Sequence, residues 1–131
     1  MKLIRFYATE DGASRFQEVE VPVDQVRPPG PAGGILKQSN AWPSPAVRFV
    51  ELPSGLEQSW HHAPARQIVL VLSGCMEVET SDNQKRRCVP GQAFIADDLS
   101  GTGHSTRVIE GPATVMFVEL PQGFDVARWS V

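Results

Sequence analysis

The sequence predicts an all-β protein, an antiparallel sandwich or barrel built from about ten short strands. Two observations carry this expectation. Eleven prolines and eleven glycines punctuate 131 residues, so uninterrupted stretches are short and leave little room for a long helix. Between these breaks apolar residues alternate with polar ones or run as short β-branched blocks, and no stretch shows a strong period of 3.6.

The elements follow in chain order. Residues 2–7 read as a first strand and residues 16–21 as a second, with Glu10-Asp11-Gly12 as the turn between them. Residues 26–31 (Val-Arg-Pro-Pro-Gly-Pro) must run extended, because consecutive prolines remove donors and fix φ, and they read as a covering or connecting segment. The best helix candidates are a turn or two within residues 34–41, or near residues 125–129. Residues 46–52 form the next strand, closed by Pro53-Ser54-Gly55. The strongest core signal is residues 67–80. There Ile68, Leu70 and Leu72 alternate with Val69 and Val71, so both faces are apolar, as in a strand between two layers or between one layer and a partner subunit. Farther on, Met76 and Val78 alternate with Glu77 and Glu79, which leaves one face wet. Ser81-Asp82-Asn83-Gln84 turns the chain, residues 85–89 return, and Pro90-Gly91 makes a corner before residues 93–96. A polar loop, residues 97–103, leads to strands at 104–109 and 113–120. With no repeat and no sharp change of composition, residues 1–131 read as one domain. Residues 1–45 supply N-terminal strands and a Pro/Gly-rich cover, and residues 46–120 the barrel core.

Composition excludes several function classes. An apolar fraction of 41% with 21% charged residues suits a folded globular chain. Lys plus Arg total 12 against 15 for Asp plus Glu, a net charge of -3, which argues against nucleic acid or an anionic membrane surface as the main partner. The longest apolar run, residues 68–72, is far short of the roughly 20 residues a spanning helix needs. Met1-Lys2-Leu3 leads straight into a strand rather than an apolar leader, so the expected location is cytoplasmic. If Asp82-Asn83 is the hairpin turn, Cys88 lies opposite Glu77 and Cys75 on a diagonal, and a reducing cytosol further favours two free thiols.

Two motifs give the chain a family resemblance. One is Trp60-His61-His62-Ala63-Pro64-Ala65-Arg66-Gln67 running to Leu72-Ser73-Gly74; the other is Pro90-Gly91-Gln92 running to Gly101-Thr102-Gly103-His104, with Thr80-Ser81-Asp82 between them. Over residues 46–120 this pattern resembles the cupins, and within them a group of small single-domain members mostly without assigned activity. The resemblance implies an antiparallel double-stranded β-helix, or jelly-roll barrel, with a homodimer as the expected assembly. Metal-dependent cupins hold a divalent ion on three histidines and a glutamate. Here His61 and His104 match by position, Ala63 stands in place of the second histidine and Gln67 in place of the carboxylate.

The candidate site is therefore a barrel pocket around His61, Gln67 and His104. The two histidines are ligand or acid–base candidates. Gln67 can donate and accept toward a ligand. Asp98, or Asp97 beside it, lies in the loop before His104 and could complete a metal set; as loop residues both more often stay solvated. His62 is a ligand-binding candidate only if the strand turns it inward, because neighbours on a strand face opposite ways. Arg107 could hold a carboxylate bidentately, although an ion pair with a nearby glutamate is the blander choice. Arg66 should face away from Gln67, in solvent or at an interface. Trp60 reads as a rim residue, and Trp42 and Trp129 as caps on hydrophobic gaps. Two readings follow. One is a small-molecule-binding protein, with or without a divalent metal (iron, manganese, nickel or zinc). The other is a non-catalytic, metal-free module for a ligand or a protein partner.

Overall fold

The computed structural model describes residues 1–27 and 30–130. Pro28 and Pro29, within the segment expected to run extended, lie outside the described residues. Ten strands follow in order: β1 (Lys2–Ala8), β2 (Ser14–Glu20), β3 (Gln25–Arg27), β4 (Leu36–Gln38), β5 (Val47–Leu52), β6 (Glu57–His61), β7 (Gln67–Thr80), β8 (Lys85–Cys88), β9 (Ala93–Asp97) and β10 (His104–Glu119). Among the described residues there is one 3₁₀ turn, Val126–Trp129, capped by the Asp125 carboxylate, which accepts from the Ala127 amide.

Strands β7 and β10 run antiparallel along their whole length, and everything else hangs on this pair. Their outer halves join different neighbours. Residues 67–70 of β7 pair with β9, which pairs with β1 and through it β2, while residues 113–118 of β10 pair with β5. Residues 76–79 of β7 pair with β8, and the first residues of β10 pair with β6. The two long strands thus pass from one layer of the barrel to the other, bending where they cross. Gly74 sits at the crossing with φ of 79°. A Cβ there would come within 2.6 Å of the Glu110 carbonyl and 2.7 Å of the Ala113 Cα, so the bend requires glycine. The inward parity switches with the bend, from Gln67, Val69 and Val71 to Met76, Val78 and Thr80. The result is an all-β jelly-roll barrel.

Its interior holds Phe6, Val69, Val71, Met76, Val78, Phe94 and Val115, with Phe16, Val50, Leu52 and Phe117 packed against them. A second cluster lies on the outer face of the β1–β9–β7 layer, where Trp129, Val126, Trp42 and Phe124 cover Leu3, Val19, Ile68 and Ile95. Trp42 and Trp129 cap a hydrophobic gap, as expected.

Several expectations are corrected. The strands at 104–109 and 113–120 are one strand, because the irregularity at Glu110–Ala113 bends the ladder without ending it. β1 and β9 pair in parallel, so the sheet is not wholly antiparallel. The helix candidate at 34–41 contains β4, paired with β3 in a separate two-stranded ribbon; the one near 125–129 is the 3₁₀ turn. In the β7–β8 hairpin Asn83 takes φ of 64°, the Thr80 amide bonds to the Gln84 carbonyl, and Cys88 pairs with Met76 instead of Glu77. A left-handed residue at the end of a three-residue loop shifts the register by one. Strand β6 was not expected, since Glu57-Gln58-Ser59-Trp60 is an exposed, polar run with no inward apolar alternation.

Candidate functional site

His104 opens β10 and pairs across the barrel end with His61 of β6 and with Thr80 of β7. Gly103, immediately before it, has φ of +77°, and a Cβ there would lie 2.1 Å from the His61 carbonyl oxygen. The loop therefore passes directly over the end of β6 and sets the two imidazoles side by side, their ring centroids 4.5 Å apart. Phe6 packs on the other side of His104, at 4.6 Å.

Each imidazole is fixed by a hydrogen bond at Nδ1. The His104 Nδ1 lies 2.5 Å from Asp98 Oδ2, and the Asp98 side chain is fully buried. A carboxylate accepts from Nδ1–H, and in the neutral imidazole that tautomer leaves the lone pair on Nε2. His61 Nδ1 lies 2.7 Å from the Ser59 carbonyl, which can only accept, so the neutral tautomer of His61 likewise carries its lone pair on Nε2. Asp98 is tied down in turn: its carbonyl accepts from the Ala63 amide at 3.0 Å. The Asp98 Oδ1 atom is buried without a partner.

Both histidines line a cavity of about 190 Å³ inside the barrel, walled mainly by Phe6, Val50, Leu52, Met76 and Phe117. Gln67, at the start of β7, is 6% exposed and lines the same cavity, and its Oε1 has no hydrogen-bond partner. Gln58 and Thr106 complete the polar lining. With neutral imidazoles the cavity thus presents two lone-pair nitrogens and an orphaned amide oxygen, beside Gln58 and Thr106, in a mainly apolar wall.

Of the sequence-derived candidates, His61, Gln67 and His104 come together. Asp98 joins them one shell out, bonded to His104 instead of facing the cavity, and its burial corrects the reading of a solvated loop. Asp97 is also buried, clamped by Arg5 at 2.8 Å and Arg66 at 2.5 Å, which corrects the solvated readings of Asp97 and Arg66 together. Gln67 begins β7, so the strand alternation applied to Arg66 does not reach it. His62 lies outside the cavity, in a cleft of about 370 Å³ with Pro64, Arg66 and Leu120. Arg107 points to the outer face of β10, where its Nε donates to Glu77 at 3.0 Å; it is corrected as a pocket residue. Trp60 is 43% exposed, in keeping with a rim position. Sequence reasoning missed Gln58 and Thr106. Thr106 was within reach, two residues beyond His104 on the same face; Gln58 sits on the unexpected strand.

The family resemblance implies a divalent metal here, and the donor set tests it. His61 and His104 offer neutral nitrogens and Gln67 a neutral oxygen, Ala63 offers nothing, and the Asp98 carboxylate is turned to His104. Among the described residues no group of three or more His, Cys, Asp or Glu side chains is placed to hold a metal ion. Two imidazoles and an amide, without a third imidazole or an anion, do not fit a resident divalent ion.

Fold and pocket together define a small jelly-roll barrel whose cavity carries a few polar groups. In solved structures the chain is similar to KdgF from a Halomonas species, with 21% identity, 89% of this chain and 87% of that one covered, and a TM-score of 0.44. It is also similar to the cupin domain of Schizosaccharomyces pombe Cnp3, with 19% identity, 92% and 84% covered, and a TM-score of 0.47. These likenesses concern the fold alone. No protein-family model matches the sequence, and no curated protein matches it.

Proposed function

We propose that the barrel binds a small molecule that donates hydrogen bonds from one end and is apolar at the other, and that it does so without a resident metal. The orphaned Gln67 Oε1, on a side chain that lines the same cavity as two imidazoles each anchored at Nδ1, is the observation that supports this. An unpaired buried acceptor costs about 1–3 kcal/mol unless something supplies a donor. A hydroxyl- or amine-bearing ligand would satisfy Gln67 and the histidines together, while Phe6 and Phe117 take its hydrocarbon. The cavity of about 190 Å³ limits that ligand to well under drug size. His104, oriented by Asp98, is also built to accept a proton from such a hydroxyl, so general-base chemistry is open to the site. Two free, buried thiols, Cys75 and Cys88, support a reducing, cytoplasmic setting.

The test pairs binding with stability. Short polyols, hydroxy-ketones and primary amines are screened by thermal shift against the wild type and Gln67→Leu. A binder is expected to raise the wild-type Tm and leave the variant unmoved, while the variant alone gains about 1 kcal/mol from losing the orphan oxygen. Elemental analysis of tag-free protein runs beside it. Near-stoichiometric metal that disappears in a His61→Ala, His104→Ala variant would overturn the metal-free reading. A second reading, a non-catalytic module for a protein partner, rests on the missing donor at Ala63, and failure of the whole ligand panel would favour it.

A further inference from the structure

Asp98 aims His104, and something must aim Asp98. Its Oδ2 meets His104 Nδ1 at 2.5 Å, while its buried Oδ1 has no partner among the described residues, so no second bond steers the carboxylate. A side chain with one partner takes its direction from the backbone that carries it. That backbone is held from two sides. The Asp98 carbonyl accepts from the Ala63 amide at 3.0 Å, and the residue before it, Asp97, is tied by two arginines.

Asp97 closes β9, in the last pair of the β1–β9 ladder, opposite Tyr7. The β7–β9 ladder has ended one residue earlier, at Gln67 with Ala96. Alternation along β9 sends Phe94 and Ala96 into the barrel and Ile95 into the outer cluster, so Asp97 belongs to the outer face. There its Oδ2 receives Arg5 Nε at 2.8 Å and its Oδ1 receives Arg66 Nε at 2.5 Å. Arg5 is braced in turn, with Nη1 on Gln17 Oε1 at 2.6 Å and its guanidinium 4.4 Å from the centre of the Tyr7 ring. The Asp97 side chain is 4% exposed and that of Arg5 11%, so this clamp works out of water. Buried ion pairs recover little more than their desolvation, and the strands are already joined by their ladders. Stability is therefore a poor reason for the clamp, and its place in the chain supplies a better one.

We propose that Asp97, with Arg5 and Arg66, is a positioning residue for His104 and acts through Asp98. With Asp97 fixed on the outer face, the next residue turns inward and its carboxylate reaches His104. Arg5, Arg66 and Asp97 do not line the cavity, so the clamp touches no ligand there and works only through the chain. For its purpose it rests on the pocket reading above. A neutral His104 held with its proton on Nδ1 keeps Nε2 for the ligand, and that selection is lost when Asp98 swings away.

Imidazole nitrogen NMR spectra of the full chain at about pH 8, together with amide hydrogen exchange, test this. The wild type is expected to show His104 as one tautomer, protonated on Nδ1. Asp97→Asn, and Arg66→Gln as a milder break at a side chain 23% exposed, are each expected to give mixed His104 tautomers. In both, exchange at the Ala63 amide should rise at least about tenfold relative to the core amide of Val71. Glu77→Gln is the control, since it breaks another carboxylate held by two arginines, Arg87 and Arg107, away from the cavity. It should leave the His104 tautomer and the exchange ratio as in the wild type. A wild type with mixed tautomers, or an Arg66→Gln variant that keeps the single Nδ1–H form, overturns the proposal. Exchange at Ala63 and Val71 rising together overturns it as well, because the clamp would then be a stabilising tie alone. No ligand enters either measurement, so failure of the ligand panel leaves the clamp standing, and failure here leaves the binding reading standing.

Discussion

A Cβ on Gly103 would come within 2.1 Å of the His61 carbonyl oxygen, so the loop closes over β6 at a distance only glycine permits. The Gly-x-Gly-His pattern thus has a mechanical reading: the glycine lays the chain on β6 so that the next residue, His104, lands beside His61. Replacing Gly103 with alanine is expected to cost at least about 3 kcal/mol, from a positive φ and from displaced backbone, and to separate the two imidazoles. Gly123 is the control. It has φ of +78° with nothing within 4 Å of a Cβ, so its alanine variant should lose only about 1 kcal/mol. Equal urea midpoints for the two variants would refute the steric account. At this scale the sequence was informative about His61, Gln67 and His104, which sit at fixed offsets from glycines. It named Asp98 as a candidate ligand but could not show its bond to His104, because that partner is decided by a loop that alternation cannot describe.

At the scale of elements, Glu77 of β7 holds two neighbours at once, receiving Arg107 of β10 at 3.0 Å and Arg87 of β8 at 3.3 Å. Burial alone would raise its pKa; the hydrogen bonds and charges of the two guanidiniums outweigh that and hold the carboxyl below the usual 4.5. The folded chain therefore releases this proton more readily than the unfolded one. The tie is fully present above about pH 4.5 and is lost as pH falls through the lowered folded value. Glu77→Gln should cost about 1 kcal/mol at pH 7, a modest figure because both arginines are half-exposed, and the loss should shrink toward pH 3. A cost that does not change with pH would refute the ionic account. The strand positions themselves were largely legible, because residues 76–79 alternate and residues 68–72 and 115–118 are short apolar runs bounded by turn signals. What was not legible is where strands bend or shift. The crossing at Gly74 and the left-handed Asn83 are set by tertiary approach and turn geometry, which leave hydrophobic periodicity unchanged.

For the molecule as a whole, Cys88 reports on the integrity of the barrel. Its side chain is fully buried among the core residues, and both thiols are free. Desolvation first, and the neighbouring Cys75 second, push its pKa up from 9.0 to about 12. Between these values the unfolded chain gives up a proton that the folded chain keeps, so stability is undiminished below about pH 9 and falls as pH climbs toward 12. The same burial makes the thiol inert in the native state, since the thiolate is the nucleophile and the barrel must open to release it. Labelling of Cys88 by a thiol reagent at pH 8, in a Cys75→Ser background, should therefore follow the free energy of global unfolding as urea is added, with no limb from local fraying. Cys88→Ala should flatten the alkaline fall in stability while lowering the plateau by about 1 kcal/mol for the cavity it leaves. Fast labelling in the absence of denaturant would mean that the β7–β8 layer opens on its own, and that the two halves joined by the bend at Gly74 do not unfold as one unit.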